Sequence, residues 1–144
     1  MSFNKIHIND EVLKIMVSSV EASYPAEGCG LLFKADDHAG PELKVKAAAV
    51  CFNEAKGVSE HYRMDPMEVF KHEENRAKEN LSLSGIYHSH PDKPAILSEE
   101  DIREMLPGMV YIVFSVLSGK VKDIKGFIKH ENVVHYAEVE VQGG

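Results

Sequence analysis

At 144 residues the chain is long enough to bury a core of its own, and it reads as one domain, residues 1–144. An apolar fraction of 44% and a charged fraction of 27% place it in the ordinary soluble globular range. Sixteen Lys and Arg against 23 Asp and Glu leave a formal charge of -7, which repels a phosphate backbone and sets nucleic acid aside as a main partner.

The first ten residues, Met1 to Asp10, alternate polar and apolar and lack the apolar core of a signal peptide. No stretch approaches the roughly 18 apolar residues of a membrane span. The expected location is cytoplasmic, with no membrane partner. Asp10 to Ser23 reads as a first helix with Val12, Ile15, Met16 and Val20 on one stripe, capped by Asn9 or Asp10 and ended by Tyr24-Pro25. Glu27 to Phe33 reads as a strand opened by small residues, and Leu43 to Phe52 as another. The two cysteines, Cys29 and Cys51, fall in these strands; reduced thiols are expected, with one optional bridge as the second reading.

Asp65-Pro66-Met67-Glu68 has the marks of a helix start, with Asp65 as N-cap, Pro66 at the first helical position and Glu68 closing a capping box; the helix should run to about Asn80. Leu83 to His88 reads as a buried strand and Ser98 to Leu106 as a short helix. Met109 to Val116, Val121 to Lys129 and Val133 to Val141 read as three further strands. Strands and helices mix without strict alternation, so the expected fold class is α/β (α+β), a mixed sheet flanked by helices.

Chemistry concentrates in His88-Ser89-His90-Pro91. Side chains two apart on an extended backbone share a face, so the two imidazoles can converge on one metal ion. Pro91 cannot donate to a ladder and should end the strand, which puts the pair at its C-terminal rim. The run Ser98-Glu99-Glu100-Asp101 reads two ways: Ser98 and Asp101 form a capping box, or Asp101 is a carboxylate held by the helix start as a third ligand. Two neutral His and one Asp leave a fourth tetrahedral position for water, the pattern of a catalytic zinc.

His88-x-His90-Pro91, six residues, Ser98, two residues and Asp101 resemble without a gap the signature of the JAMM (MPN-domain) zinc metalloprotease family, in its minimal prokaryotic form. Glu27-Gly28-Cys29-Gly30 is similar to the family's upstream glutamate element, and Asn53 and the Asp65-Pro66 helix start resemble its spacing more loosely. The resemblance implies one Zn2+ per chain held by His88, His90 and Asp101. It implies Glu27 as the base that activates water and returns the proton to the leaving amine, and Ser98 as donor to the developing oxyanion. Outside the resemblance Glu27 is an ordinary loop carboxylate. Cys29 reads as a packing residue, and His61, His72, His130 and His135 as surface residues without partners at ligand spacing. The implied fold is akin to the cytidine deaminases, a mixed sheet sandwiched between helices. The deaminase motifs H-x-E and P-C-x-x-C are absent, as is H-E-x-x-H.

Active members of that family cut after the Gly-Gly end of a ubiquitin-like protein, and minimal forms resemble those that release sulfur-carrier proteins. The expected function is therefore a peptidase or isopeptidase whose partner is a ubiquitin-like or sulfur-carrier protein ending in Gly-Gly. The alternatives are a non-enzymatic scaffold that binds such a partner and a general small-peptide hydrolase. Oligomeric state, a homodimer included, is left open. The terminal Gly143-Gly144 reads first as a loose end and second as a product mimic able to enter another molecule's active-site groove.

Overall fold

The computed structural model describes residues 4–55 and 62–143. The expectations placed on His61 and Gly144 lie outside these residues. Among the described residues, eight strands and three helices follow the order β1 (Lys5–Asn9), α1 (Asp10–Ser23), β2 (Cys29–Ala35), β3 (Glu42–Val45), β4 (Ala47–Cys51), α2 (Pro66–Ala77), β5 (Leu81–Pro91), α3 (Glu99–Glu104), β6 (Val110–Leu117), β7 (Lys120–His130) and β8 (Val133–Gln142). The strands form one mixed sheet in the order β3-β1-β8-β7-β6-β5-β2-β4. Among the described residues no helix is long and apolar enough to cross a membrane.

The stretch Leu43–Phe52, read from sequence as one strand, is two. Val45 ends β3 on one margin of the sheet and Ala47 begins β4 on the other, with only Lys46 between them. The Lys46 N–H donates to Phe33 O at 2.8 Å, which diverts the chain out of β3 and into pairing with β2. Margins joined by one residue must lie close together, so the sheet curls. Helix α1 packs in the concavity against β1, β2, β4, β6, β7 and β8. Strand β1, which the sequence reading left unassigned, runs parallel to both β3 and β8.

Helix α1 begins as expected, Asn9 Oδ1 accepting from Glu11 N at 2.7 Å, and ends at Ser23. Its buried stripe is Met16 and Val20 with Val12, Leu13 and Val17 against them. Ile15 does not belong to it and is 49% exposed, because the concavity receives the helix from the Leu13 side. In α2 Asp65 caps Met67 N at 3.0 Å, but Glu68 does not turn back to close a box. Its Oε1 accepts instead from Phe52 N at 3.0 Å, satisfying a backbone donor just past the end of β4.

Two apolar clusters divide the sheet's faces. Leu32, Ala48, Tyr87, Ile112 and Phe114 meet α1, while Cys29, Leu31, Phe33, Ala47, Ala49 and Cys51 meet α2 through Val69. Both hairpins that finish the sheet turn on two residues with positive φ, Ser118-Gly119 and Glu131-Asn132, the twist that suits right-handed strands. The glycines around Cys29 are small because of close approach. A Cβ on Gly28 would stand 3.0 Å from the Val20 Cα of α1. One on Gly30 would stand 2.3 Å from the buried Tyr87 ring and 2.4 Å from Ala49 O. Tyr87 has no room to retreat, and its hydroxyl is tied to Ser19 Oγ at 2.9 Å. Gly30→Ala should therefore lower stability by about 1–3 kcal/mol, read as a shift of the denaturation midpoint in urea; an unchanged midpoint would contradict this packing.

Candidate functional site

Strand β5 carries His88 and His90 on the face that looks toward α2, as the two-residue period requires, and ends at Pro91. Beyond Pro91 the chain turns at Asp92, whose φ is 55°. The turn is tied down by Asp92 Oδ2 accepting from the Tyr24 hydroxyl at 2.6 Å and Oδ1 accepting from Ser118 N at 2.9 Å. Ser115 Oγ donates to Lys93 O at 2.7 Å. So anchored, the segment returns over the rim of the sheet and starts α3 at Ser98.

The capping box is present in full: Ser98 Oγ accepts from Asp101 N at 3.0 Å and Asp101 Oδ2 accepts from Ser98 N at 2.9 Å. The two readings of Asp101 are not alternatives. The same cap aims its carboxylate at the imidazoles, with Oδ2 3.1 Å from His90 Nε2 and Oδ1 3.4 Å from His88 Nε2, while the two Nε2 atoms lie 3.2 Å apart. All three side chains are buried.

Glu27 precedes β2 and reaches the site through register. Cys29 stands opposite His88 in the antiparallel β2–β5 pair, so the same register sets Glu27 opposite His90, on the same face. Asn53 Nδ2 donates to Glu27 O at 2.9 Å, and Asn53 Oδ1 accepts from Ala55 N and Arg63 N. Asn53 thus fastens the Glu27 backbone to the chain on either side of the 56–61 segment. On the far side, Ser89 Oγ accepts from Gly28 N at 2.8 Å. Sequence reasoning missed Tyr62, whose ring lies against His88 with centroids 4.7 Å apart.

Burial pushes the Glu27 carboxyl up to about 7, opposed in part by nearby His90. Its Oε1 is buried and finds no hydrogen-bond partner among the described residues. Burial also works to raise Asp101, but hydrogen bonds from His88 and His90 outweigh it and hold the carboxyl far below the usual carboxylate range. For His90 desolvation works downward, while Asp101 and the Pro94 carbonyl more than offset it and leave the pKa raised. His90 Nδ1 lies 3.1 Å from Pro94 O, an acceptor only, so Nδ1 donates there and Nε2 is the nitrogen that faces Asp101 and His88.

These residues fit a divalent metal. The two Nε2 atoms lie 3.2 Å apart, and the Asp101 carboxylate meets them with a different oxygen each, Oδ2 at 3.1 Å from His90 and Oδ1 at 3.4 Å from His88. A tetrahedral zinc with bonds of about 2.0–2.1 Å has donor–donor edges of about 3.3 Å. Cys29 and Cys51 are free, buried and directly paired across β2 and β4, and burial pushes both thiols up to about 12, which removes Cys29 as a nucleophile. His130 and His135 lie away from the site, half-buried and exposed respectively. His72 does not fit the surface reading: its Nε2 is buried and lies 3.5 Å from Glu68 Oε2.

Residues 9–127 match the model of prokaryotic homologs of the JAB domain. A desampylase of Pyrococcus furiosus is 34% identical over 104 residues, which cover 72% of this chain and 69% of that protein. A probable TtuB-protein conjugate cleaving protease of Thermus thermophilus is 42% identical over 53 residues, 37% of this chain and 36% of that one. Among solved structures, the solution structure of protein DSY2949 from Desulfitobacterium hafniense superposes with a TM-score of 0.84 at 26% identity, covering 96% of this chain and 94% of that one. A Salinibacter ruber protein shares the fold with a TM-score of 0.69 at 24% identity, covering 92% and 88%. With the match running through Glu27, both histidines, Ser98 and Asp101, the chain belongs to the prokaryotic JAB-domain family.

Proposed function

We propose that this protein is a zinc-dependent peptidase or isopeptidase that hydrolyses the bond after the Gly-Gly terminus of a ubiquitin-like or sulfur-carrier protein. One observation carries the reading: His88 Nε2, His90 Nε2 and the Asp101 carboxylate converge at tetrahedral edge distances, with Glu27, half-buried and raised in pKa, on the same face. The names of the Pyrococcus and Thermus relatives support the substrate class. The mixed sheet with α1 on one face and α2 on the other supports the likeness to the cytidine deaminases.

Zinc bound by His88, His90 and Asp101 would supply Lewis acidity, polarising the scissile carbonyl and acidifying a water molecule. Glu27 takes the proton from the attacking water as its oxygen bonds to the carbonyl carbon. It then returns that proton to the amine nitrogen as the C–N bond breaks. The pKa of Glu27, near 7 rather than near 4.5, suits both halves of this exchange. Ser98 Oγ accepts from Asp101 N in the cap, and its own O–H remains to donate to the developing oxyanion. Beside the site lies a groove of about 1090 Å³ between α2 and the β5–β6 surface, walled by Val69, Phe70, Ile86, Leu106 and Tyr111. It offers an apolar seat for the folded body of a carrier protein while the carrier's tail extends to the site.

Glu27→Gln should keep the parent's zinc content and lose turnover, whereas Asp101→Ala should lose the ion of the His88 centre; metal analysis with cleavage of a carrier–peptide fusion reads both. Near-normal turnover by Glu27→Gln would overturn the base assignment. For Ser98→Ala the expected results are a kcat lower by about 10²-fold and a stability loss of about 1 kcal/mol from the cap. Stability loss with unchanged kcat would remove Ser98 from the chemistry. On the substrate side, replacing the fusion's penultimate glycine by alanine should slow cleavage strongly, and equal rates would sink the glycine requirement.

A further inference from the structure

On the same face of the sheet, two strands away from His88, a second set of ligand-type side chains comes together from β4 and α2. Cys51 ends β4, and its side chain lies on the α2 side with Ala47 and Ala49. Glu68 and His72 sit four residues apart on α2, hence on one face of that helix. One ligand atom from each lies within 4.8 Å of the others.

The three groups are prepared for a cation in different ways. Glu68 Oε1 is occupied by Phe52 N at 3.0 Å, which fixes the carboxylate and leaves Oε2 pointing at His72 Nε2 from 3.5 Å. That nitrogen is buried and makes no hydrogen bond among the described residues. The Cys51 sulfur has only Ala49 O, at 4.0 Å, as a weak acceptor for its proton. Thiolate, imidazole and carboxylate together form a donor set suited to zinc-class ions. Closing the triangle from its present spacing takes small side-chain movements, since Glu68 and His72 already share a helical face.

We propose that Cys51, Glu68 and His72 form a second metal site, for a zinc-class divalent cation, that clamps α2 onto β4. Binding displaces the Cys51 proton to solvent and leaves the oxidation state of the sulfur unchanged. The site is separate from the His88 centre. His88, Cys29 and Cys51 lie in line across β5, β2 and β4, so two strand spacings, roughly 9–10 Å, separate them. Because Pro66, Val69, Phe70 and Glu73 of α2 line the groove beside the His88 centre, a metal at Cys51 stiffens one wall of that groove.

Cobalt(II) chloride added to the reduced, metal-stripped full chain separates the two sites. A sulfur ligand gives a thiolate-to-cobalt charge-transfer band in the near ultraviolet; a His, His, Asp centre gives none. The expected result is a band whose amplitude at saturating cobalt corresponds to one thiolate-bound ion per chain, the His88 centre filling without one. It should persist in His88→Ala and Cys29→Ser and vanish in Cys51→Ser. In His72→Gln its apparent affinity should fall at least about tenfold, or roughly 1.4 kcal/mol. His72 is half-buried, so that variant keeps the test decisive should Cys51→Ser fail to fold. Absence of the band from the reduced parent at saturating cobalt overturns the site, as does a band that depends on Cys29 or is indifferent to His72→Gln.

Discussion

The antiparallel register between β2 and β5, with Cys29 facing His88, governs the geometry of the whole candidate site. It puts Glu27 across from His90 without any direct bond between their side chains being needed. It also stacks the small residues of the Glu27–Gly30 run against α1 and Tyr87, where a side chain would push the two strands apart. A slip of one residue would turn both imidazoles to the α1 face and Glu27 away from them, since strand side chains alternate. The close contacts at Gly28 and Gly30 resist such a slip, so the same glycines that serve packing also hold Glu27 in line with the histidines.

The second constraint is electrostatic. Asp101 is buried, and an ionised carboxylate there is costly unless it is matched. The Ser98 N–H and the two imidazoles meet that demand. Glu27 is half-buried with no such compensation at its buried Oε1, and its carboxyl is raised rather than lowered. Two carboxylates beside the same histidines thus diverge, one kept ionised and suited to ligation, the other poised to gain and lose a proton near neutrality.

Much of this was legible in the chain, and what was not failed for identifiable reasons. His88 and His90 could be paired because a two-residue period is a local property. Ser98 and Asp101 were legible for the same reason, and the cap and the ligand geometry coincide. Glu27 could be singled out only by its resemblance to a family element, since its approach to His90 is a matter of strand pairing across some sixty residues. The break at Lys46 was hidden because its cause is the distant Phe33 carbonyl. Glu68 followed the capping pattern in sequence but serves Phe52, a tertiary demand overriding a local one. His72 was dismissed for lack of a neighbour at ligand spacing, and its neighbour Cys51 lies on another element altogether.

The position of β1 carries a consequence for how the chain is made. Its residues pair on one side with β3, Lys5 with Glu42, and on the other with β8, Lys5 with Glu138. During synthesis the first partner emerges early and the second only after about a hundred further residues. A β1–β3 pair formed before then would leave the β8 side of β1 open as well as the outer margin of β3, and α1 would lack part of the concavity that shelters Ile6 and Ile8. Contacts so distant in sequence are slow to form, and an open strand margin invites pairing with another nascent chain. Production of this protein therefore depends on keeping that margin covered until β8 arrives, a requirement set by topology and independent of the chemistry at the site.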